Sequence, residues 1–312
     1  MTETVPTGEP GGPDDLEQAA AVFNGVRPRL FGIAYRMLGS AAEAEDLVQD
    51  VWLRWQSYDR STVDSPAGFL ATVTTRLAIN AAQSARVRRE TYIGPWLPEP
   101  VDTGADPYLG AERGEALEVA VLMLLERLSP TERAAYVLRE AFDYPYQRIA
   151  EIVRLNETAV RQLVSRARKR VLAGRRRPVT TDEQRRLLKA FVAAARSGDL
   201  TALEELFTAD VVSYSDGGGA VRGAARFPVV GATRLAKVIK AFSGRFWDGV
   251  DVGWGSTNGR PSALLSRDGQ LFAVITVNAS DQGIDQVLWM LNPAKLTAVS
   301  PPHGPLPLQS RS

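Results

Sequence analysis

The chain has 312 residues, 45% of them hydrophobic, enough to bury more than one core, and its 37 basic and 36 acidic residues leave a formal net charge of only +1. That balance excludes a global polycation, so affinity for nucleic acid has to come from local charge. With no cysteine and a single histidine, His303, the sequence excludes disulfides, thiolate or multi-histidine metal sites, thiol nucleophiles and a Ser-His-Asp triad, and nothing calls for a cofactor.

Residues 1–15, MTETVPTGEPGGPDD, lack the basic region and apolar run of a signal peptide and are expected to form a disordered leader. No stretch approaches the roughly 18 uninterrupted apolar residues of a membrane-spanning helix, so a soluble cytoplasmic protein without a membrane partner is expected. From about 16 to 90 the pattern is helical. Ser40 with Glu43 predicts a capping box ahead of Leu47, Val48, Val51 and Trp52 at helical spacing. Ser65-Pro66 starts a further helix through Phe69, Val73, Leu77 and Ile79. Residues 92–108, YIGPWLPEPVDTGADPY, hold four prolines and two glycines, which forbid a regular element and predict a linker.

A second helical block covers about 111–173, with Ser129-Pro130-Thr131-Glu132 as a capping box and Gly174 and Pro178 as stops. Within it, YPYQRIAEIVRLNETAVRQLVSRARKRV carries the strongest local signal. Ile149, Ile152 and Val153 give one helix an apolar face, Ala150 permits close approach, Leu155-Asn156 supplies the turn, and Val160, Leu163 and Val164 face back from the second helix. This is helix-turn-helix spacing, with the second helix available to a major groove. Arg161, Arg166, Arg168, Lys169 and Arg170, flanked by Arg154 and Arg175 to Arg177, face only Glu157 as an acid across that span and suit phosphates. Thr158, Arg161, Gln162 and Ser165 occupy its early, base-reading part. A solvated basic helix is the plainer reading, but charge, turn and apolar spacing together favour DNA.

Thr181 is expected to cap another helix, after which residues 209–291 alternate β-rich runs (VVSYS, VDVGW, ALLS, LFAVITV, VLWML) with glycine turns around a helix at about 232–242. A compact α+β domain follows from that pattern. The tail SPPHGPLPLQSRS reads as disordered.

Residues 41–60, AAEAEDLVQDVWLRWQSYDR, taken with 131–170, resemble an extracytoplasmic-function sigma factor, the minimal bacterial sigma with regions two and four. The resemblance covers about 20–175. It implies that Asp46, Leu47, Gln49, Asp50 and Val51 dock on core RNA polymerase. The segment from Ser65 to Glu90 would open and read the −10 element through Arg76, Asn80, Arg86, Arg88 and Arg89, and the helix-turn-helix would read the −35 element through Thr158, Arg161, Gln162, Ser165, Arg166, Arg168 and Lys169. Physically, Asp46 and Asp50 share one helical face beside apolar neighbours, which suits an arginine-bearing partner. Asn80 is as well suited to capping a helix, and Trp52 and Trp55 to core packing.

The chain continues for over 130 residues past the usual end of this family near 175. The extension resembles a SnoaL-like domain, a curved sheet with helices closing a cone. The subgroup carrying it has W-L-P-E-P, D-G-G-G-K and N-P-D-K-L motifs. Here they read Trp96-Leu97-Pro98-Glu99-Pro100, Asp216-Gly217-Gly218-Gly219 followed by Ala220, and Asn292-Pro293-Ala294-Lys295-Leu296. The lysine missing at Ala220 removes an ion pair with Glu99 or another acid. The glycine run by itself suits a hairpin turn better than a phosphate cradle. The resemblance adds contact with the linker, whose prolines lose little entropy on docking.

The implied fold is multidomain, two all-α sigma modules followed by an α+β SnoaL-like domain. Its divisions are leader 1–15, region two 16–91, linker 92–110, region four 111–177, extension 178–298 and tail 299–312. The implied partners are core RNA polymerase and promoter DNA, with the fused extension in place of a separate anti-sigma factor and room for a small apolar ligand in its pocket. Glu99, Asp102 and Asp106 also suit a mimic of nascent RNA in polymerase. Two other classes stay open. An isomerase or hydrolase would use Asp210 or Asp216 with Tyr214. A regulator that binds duplex DNA alone would have no need of the acidic-apolar DLVQDVWLRW face.

Overall fold

The computed structural model describes residues 13–103, 118–174 and 176–299. Most of the leader, Asp106, Arg175, His303 and the tail beyond Val299 lie outside the described residues. Two parts of the expected termini are ordered. The first helix already begins at Pro13, and Val299 is buried against the sheet.

Helices α1 (Pro13–Leu38), α2 (Ala41–Gln56) and α3 (Pro66–Glu90) form the first module. Ser40 caps α2 by accepting from the Glu43 N–H, but the Glu43 carboxylate turns to Arg88, so the predicted box closes on one side only. Ser65 caps α3 with Pro66 in the first turn. Trp55 is core, its indole N–H donating to the Ala19 carbonyl at 3.1 Å.

Helices α4 (Val119–Leu125), α5 (Pro130–Glu140), α6 (Tyr146–Val153) and α7 (Glu157–Ala173) form the second. The Ser129–Glu132 capping box is complete in both directions. Helix α6 ends where Arg154 enters the left-handed region at φ 58°, and Asn156 caps α7 through the Ala159 N–H at 2.7 Å. The turn therefore starts one residue earlier than the sequence suggested. The two modules are not separate bodies. One continuous core runs from Leu30 and Ile33 on α1 through Leu138 on α5 to Ile149 and Val164.

The remainder is α8 (Thr181–Ser197), α9 (Leu200–Leu206), α10 (Ala232–Phe246) and a six-stranded sheet, capped at α8 by Thr180 rather than Thr181. The strands are β1 (Phe207–Asp216), β2 (Val229–Val230), β3 (Asp251–Thr257), β4 (Arg260–Arg267), β5 (Gln270–Ser280) and β6 (Gly283–Met290), in the order β2-β1-β6-β5-β4-β3. β1 and β6 run parallel and every other pair antiparallel. Alternation assigns the two faces. Ala263, Leu265, Ala273, Ile275 and Val277 lie under the helices with Phe191, while Leu264, Val274, Leu288 and Met290 face the other way and receive Leu97 of the linker and Val119 and Met123 of α4. The sheet is thus covered on one face by its own helices and on the other by the linker and α4.

Candidate nucleic-acid interface and linker clamp

On α2, Asp46, Gln49 and Asp50 are exposed, as an outward face of the helix requires. Leu47 and Val51 are not part of that face: they are 6% and 1% exposed and belong to the core. The apolar side chain that does accompany the acids is Leu53, 61% exposed and three residues past Asp50. The sequence reading passed over it, although the i, i+4, i+7 series from Asp46 through Asp50 to Leu53 carries the signal.

Thr158, Arg161, Gln162, Ser165, Arg166, Arg168 and Lys169 are all exposed on α7. Their cations meet more acid than the motif alone suggested. Arg161 pairs with Glu157 at 2.5 Å and lies over the Tyr146 ring at 4.3 Å, Arg166 and Arg170 approach Glu132 at 3.7 and 3.1 Å, and Arg168 pairs with Glu140 at 2.7 Å. Helix α5 therefore supplies a counter-charge that local sequence does not reveal. Burial pushes the Glu132 carboxyl upward, but hydrogen bonds from Ser129 and the charges of Arg170 and Arg166 outweigh it and hold the group below its ordinary value.

The five residues assigned to the −10 element divide. Asn80 and Arg86 are exposed; because α3 is unbroken from Pro66 to Glu90, Asn80 lies mid-helix and caps nothing. Arg88 is exposed but paired with Glu43. Arg76 donates to the carbonyls of Ile152 and Glu151, both at 3.0 Å, and so caps the end of α6. Arg89 pairs with Glu126, donates to the Leu38 carbonyl and lies 3.5 Å from the Trp96 ring centre. Arg76 and Arg89 are thus joints between modules in this arrangement. Arg148 reinforces the first joint by donating to the Gly68 carbonyl at 3.0 Å.

The three motifs meet. Asp216, fully buried at the end of β1, accepts from the Tyr92 hydroxyl at 2.5 Å, the Leu97 N–H at 2.8 Å, the Gly218 N–H at 3.2 Å and the Lys295 ammonium at 2.7 Å. Lys295 also donates to the Leu97 carbonyl at 2.6 Å and sits 4.2 Å from the Trp96 ring centre. Burial lowers the Lys295 pKa, with Asp216 opposing. Asn292 donates to the Tyr92 hydroxyl at 2.8 Å, and Gly218, at φ 58°, leaves space that a side chain would deny to Asn292. Gly219 packs on Ile93. The glycine run opens a long loop to β2 instead of a tight hairpin. Pro293 and Leu296 frame the Lys295 turn, Leu296 buried beside Leu97.

Glu99 faces the opposite way. Its carboxylate accepts from the N–H groups of Ala41 and Ala42 at 2.6 and 3.2 Å and from the Ser40 hydroxyl at 2.8 Å, so the linker caps the N-terminus of α2. Pro98 and Pro100 on either side are buried. Asn258-Gly259 is a two-residue hairpin signal that closes the β3–β4 turn, although nothing local marks Asn258 as a partner of the linker. Its side-chain amide donates to the Tyr35 hydroxyl at 2.6 Å and accepts from the Val101 N–H at 3.1 Å, while its backbone N–H donates to the Val101 carbonyl at 2.9 Å. Asp216 already has a cation in Lys295, and Glu99 is engaged by α2, so Ala220 in place of a lysine costs the clamp no ion pair.

A cavity of about 650 Å³ lies where α3, the linker, α4 and the sheet converge, with Arg89, Trp96, Glu118, Tyr214, Arg260 and Asp285 among its walls. Val121, Met123, Leu124 and Val212 also line it, so its walls mix apolar and charged groups. Inside the extension, Phe191, Phe207, Phe246 and Trp289 fill the space between helices and sheet. Neither carboxylate proposed for catalysis is a free base: Asp216 is held by Lys295, and Asp210 is exposed and paired with Arg176.

Residues 22–88 match sigma-70 region 2 and residues 118–171 match sigma-70 region 4. The ECF RNA polymerase sigma factor SigJ of Mycobacterium tuberculosis is 39% identical over 237 residues, covering 73% of this chain and 74% of that one. The probable ECF RNA polymerase sigma factor SigI of the same species is 33% identical over 227 residues, covering 72% and 76%. The crystal structure of SigJ from M. tuberculosis superposes with a TM-score of 0.72 at 30% identity, over 89% of this chain and 98% of that one.

Proposed function

Because this chain belongs to the extracytoplasmic-function RNA polymerase sigma factors, we propose that it docks on core polymerase through the outer face of α2 and delivers α3 to the −10 element and α7 to the −35 element. In this reading the extension acts through the linker. A single observation carries it: the segment from Trp96 to Val101 is held by Asp216, Lys295 and Asn258 of the extension while its own Glu99 caps α2. The docking helix and the regulatory domain therefore share one short, Pro-stiffened connection. A built-in regulator of this kind makes a separate anti-sigma protein unnecessary, places the protein beside polymerase in the cytoplasm, and leaves no catalytic role to assign. Among the described residues no helix is long and apolar enough to cross a membrane.

The arrangement corresponds to a closed state. Promoter elements centred near −35 and −10 are on the order of 80 Å apart along a duplex at about 3.4 Å per base pair. Two modules that share one core cannot span them, so α3 and α6 have to separate. Their interface suits separation, because it is crossed by Arg29, Arg76, Arg133 and Arg148 rather than sealed by aliphatic packing alone. The buried Arg133 Nη2 has no hydrogen-bond partner among the described residues, a cost that opening relieves. The deciding experiment is reconstituted transcription with the full chain, with a chain ending near residue 178, and with Lys295→Met. Output unchanged across all three sinks the regulatory role of the extension; loss of core binding by Asp46→Lys/Asp50→Lys tests the docking assignment independently.

A further inference from the structure

Chain-wide the charges balance at 37 against 36, yet from Gly217 to Trp247 the sequence holds six basic residues and no acidic one. The six are Arg222 and Arg226 in the loop after β1, and Arg234, Lys237, Lys240 and Arg245 on α10. All six are exposed, and among the described residues none takes part in an ion pair. On α10 the buried positions are Leu235, Ala236 and Ile239, so Arg234, Lys237, Ala241 and Arg245 line up along the opposite, outward side at i, i+3, i+7 and i+11. At about 1.5 Å per residue that row is on the order of 16 Å long. Solubility alone does not call for this pattern, since exposed helices usually intersperse both signs, as α8 does with Asp182–Arg185 and Glu183–Arg186.

The loop also has a defined place. A Cβ on Gly94 would meet the Arg226 Cα and the Ala225 carbonyl at 3.9 Å, and Gly219 touches Ile93. The basic segment therefore starts against the linker residues that follow α3, whose last turns carry Arg86 and Arg88.

We propose that the loop 220–228 and the outward row of α10 form an additional, sequence-independent binding surface for the phosphate backbone of duplex DNA, continuous with the basic end of α3. An acid-free row of unpaired guanidinium and ammonium groups fits a polyanion, and a convex helix fits the outside of a duplex better than it fits an extended single strand, which needs a groove with stacking platforms. The surface is accessible with the modules closed, so it can hold DNA before they open. The proposal rests on the promoter-binding reading only for its biological setting, because backbone binding is measurable without polymerase.

The test is fluorescence anisotropy of the full chain with a labelled duplex that contains no promoter element, across about 50 to 200 mM salt. Three variants are compared with the parent: Arg222→Ala/Arg226→Ala, Arg234→Ala/Lys237→Ala/Arg245→Ala, and Arg161→Ala as a report on the helix-turn-helix. At about 0.9 in slope per phosphate contact, removing the three α10 cations lowers the salt slope by two to three, so over that salt range the parent loses about 40-fold more affinity than the variant does. The loop pair lowers it by one to two, and Arg161→Ala by about one. An unchanged slope in both extension variants overturns the proposal, whether or not Arg161→Ala has an effect; loss of effect in Arg161→Ala alone counts against the helix-turn-helix assignment instead. Anionic phospholipid vesicles and a single-stranded oligonucleotide of equal length are the remaining arms. Weakening confined to either of them overturns duplex DNA as the partner. All six substituted side chains are exposed, so unchanged thermal unfolding is expected throughout.

Discussion

At the scale of single residues, Asp216 and Lys295 decide whether the linker stays clamped. Both are buried, so removing one partner leaves an uncompensated charge in a dry site. Lys295→Met is expected to lower unfolding stability by about 3–5 kcal/mol in urea titration, and Lys295→Met combined with Asp216→Leu to restore part of it. A loss under 1 kcal/mol shows that water reaches Asp216. Glu132 sets a pH dependence. Its carboxyl lies below the ordinary 4.5, so its contribution is fully present above that pH and fades as pH falls through the lower folded value. Glu132→Gln is therefore expected to be about 1 kcal/mol less stable than the parent at about pH 7, with the difference shrinking at about pH 3.5. An equal difference at both values means that Arg166 and Arg170 add nothing through charge. Residue identity made Asp216 and Lys295 readable in advance, as motif positions. Asn258 was not, because its role depends on a turn that reaches across to Tyr35, 223 residues away in the chain.

At the scale of elements, helices with strong local signals were legible: capping serines, first-turn prolines and Asn156 fall where the described helices begin. The two-residue β2 was not, since a strand so short carries no periodicity. Orientation was the weaker part of the reading. Apolar spacing on α2 identified a helix but did not say which apolar residues face inward, and Leu47 and Val51 proved to be core while Leu53 faces out. Two substitutions separate those roles. Leu53→Asp is expected to weaken core polymerase binding at least tenfold with unchanged thermal unfolding, read by gel filtration or anisotropy with core enzyme. Leu47→Ala is expected to cost about 2–5 kcal/mol of stability through the cavity it leaves. Should Leu53→Asp bind core normally, the outer face of α2 is not the docking surface. On α7 the basic residues were readable one by one, but Glu132 and Glu140 beneath them were not, because they belong to a different helix.

At the scale of the whole molecule, the closed packing of the two helical modules is the feature with the largest consequence. The absence of cysteine lets single cysteines introduced at exposed Gln83 on α3 and Lys169 on α7 carry a donor and an acceptor dye without side reaction. Transfer efficiency is expected to be high in the free protein and to fall on addition of core polymerase with promoter DNA; constant efficiency is incompatible with opening. What the sequence determined by itself was the inventory: two helical blocks, a Pro-rich connection, an α+β extension, and the side chains able to meet phosphate or polymerase. Those follow from periodicity, capping and charge, which are local and survive without a fold. What only the tertiary structure decided was how they are engaged: that Arg76 and Arg89 join modules, that Glu99 caps α2, that one sheet face belongs to the linker and α4, and that a cavity forms where α3, the linker, α4 and the sheet converge. Such contacts depend on which surfaces meet across long separations, and a surface carries no mark in the chain of the partner it will bury.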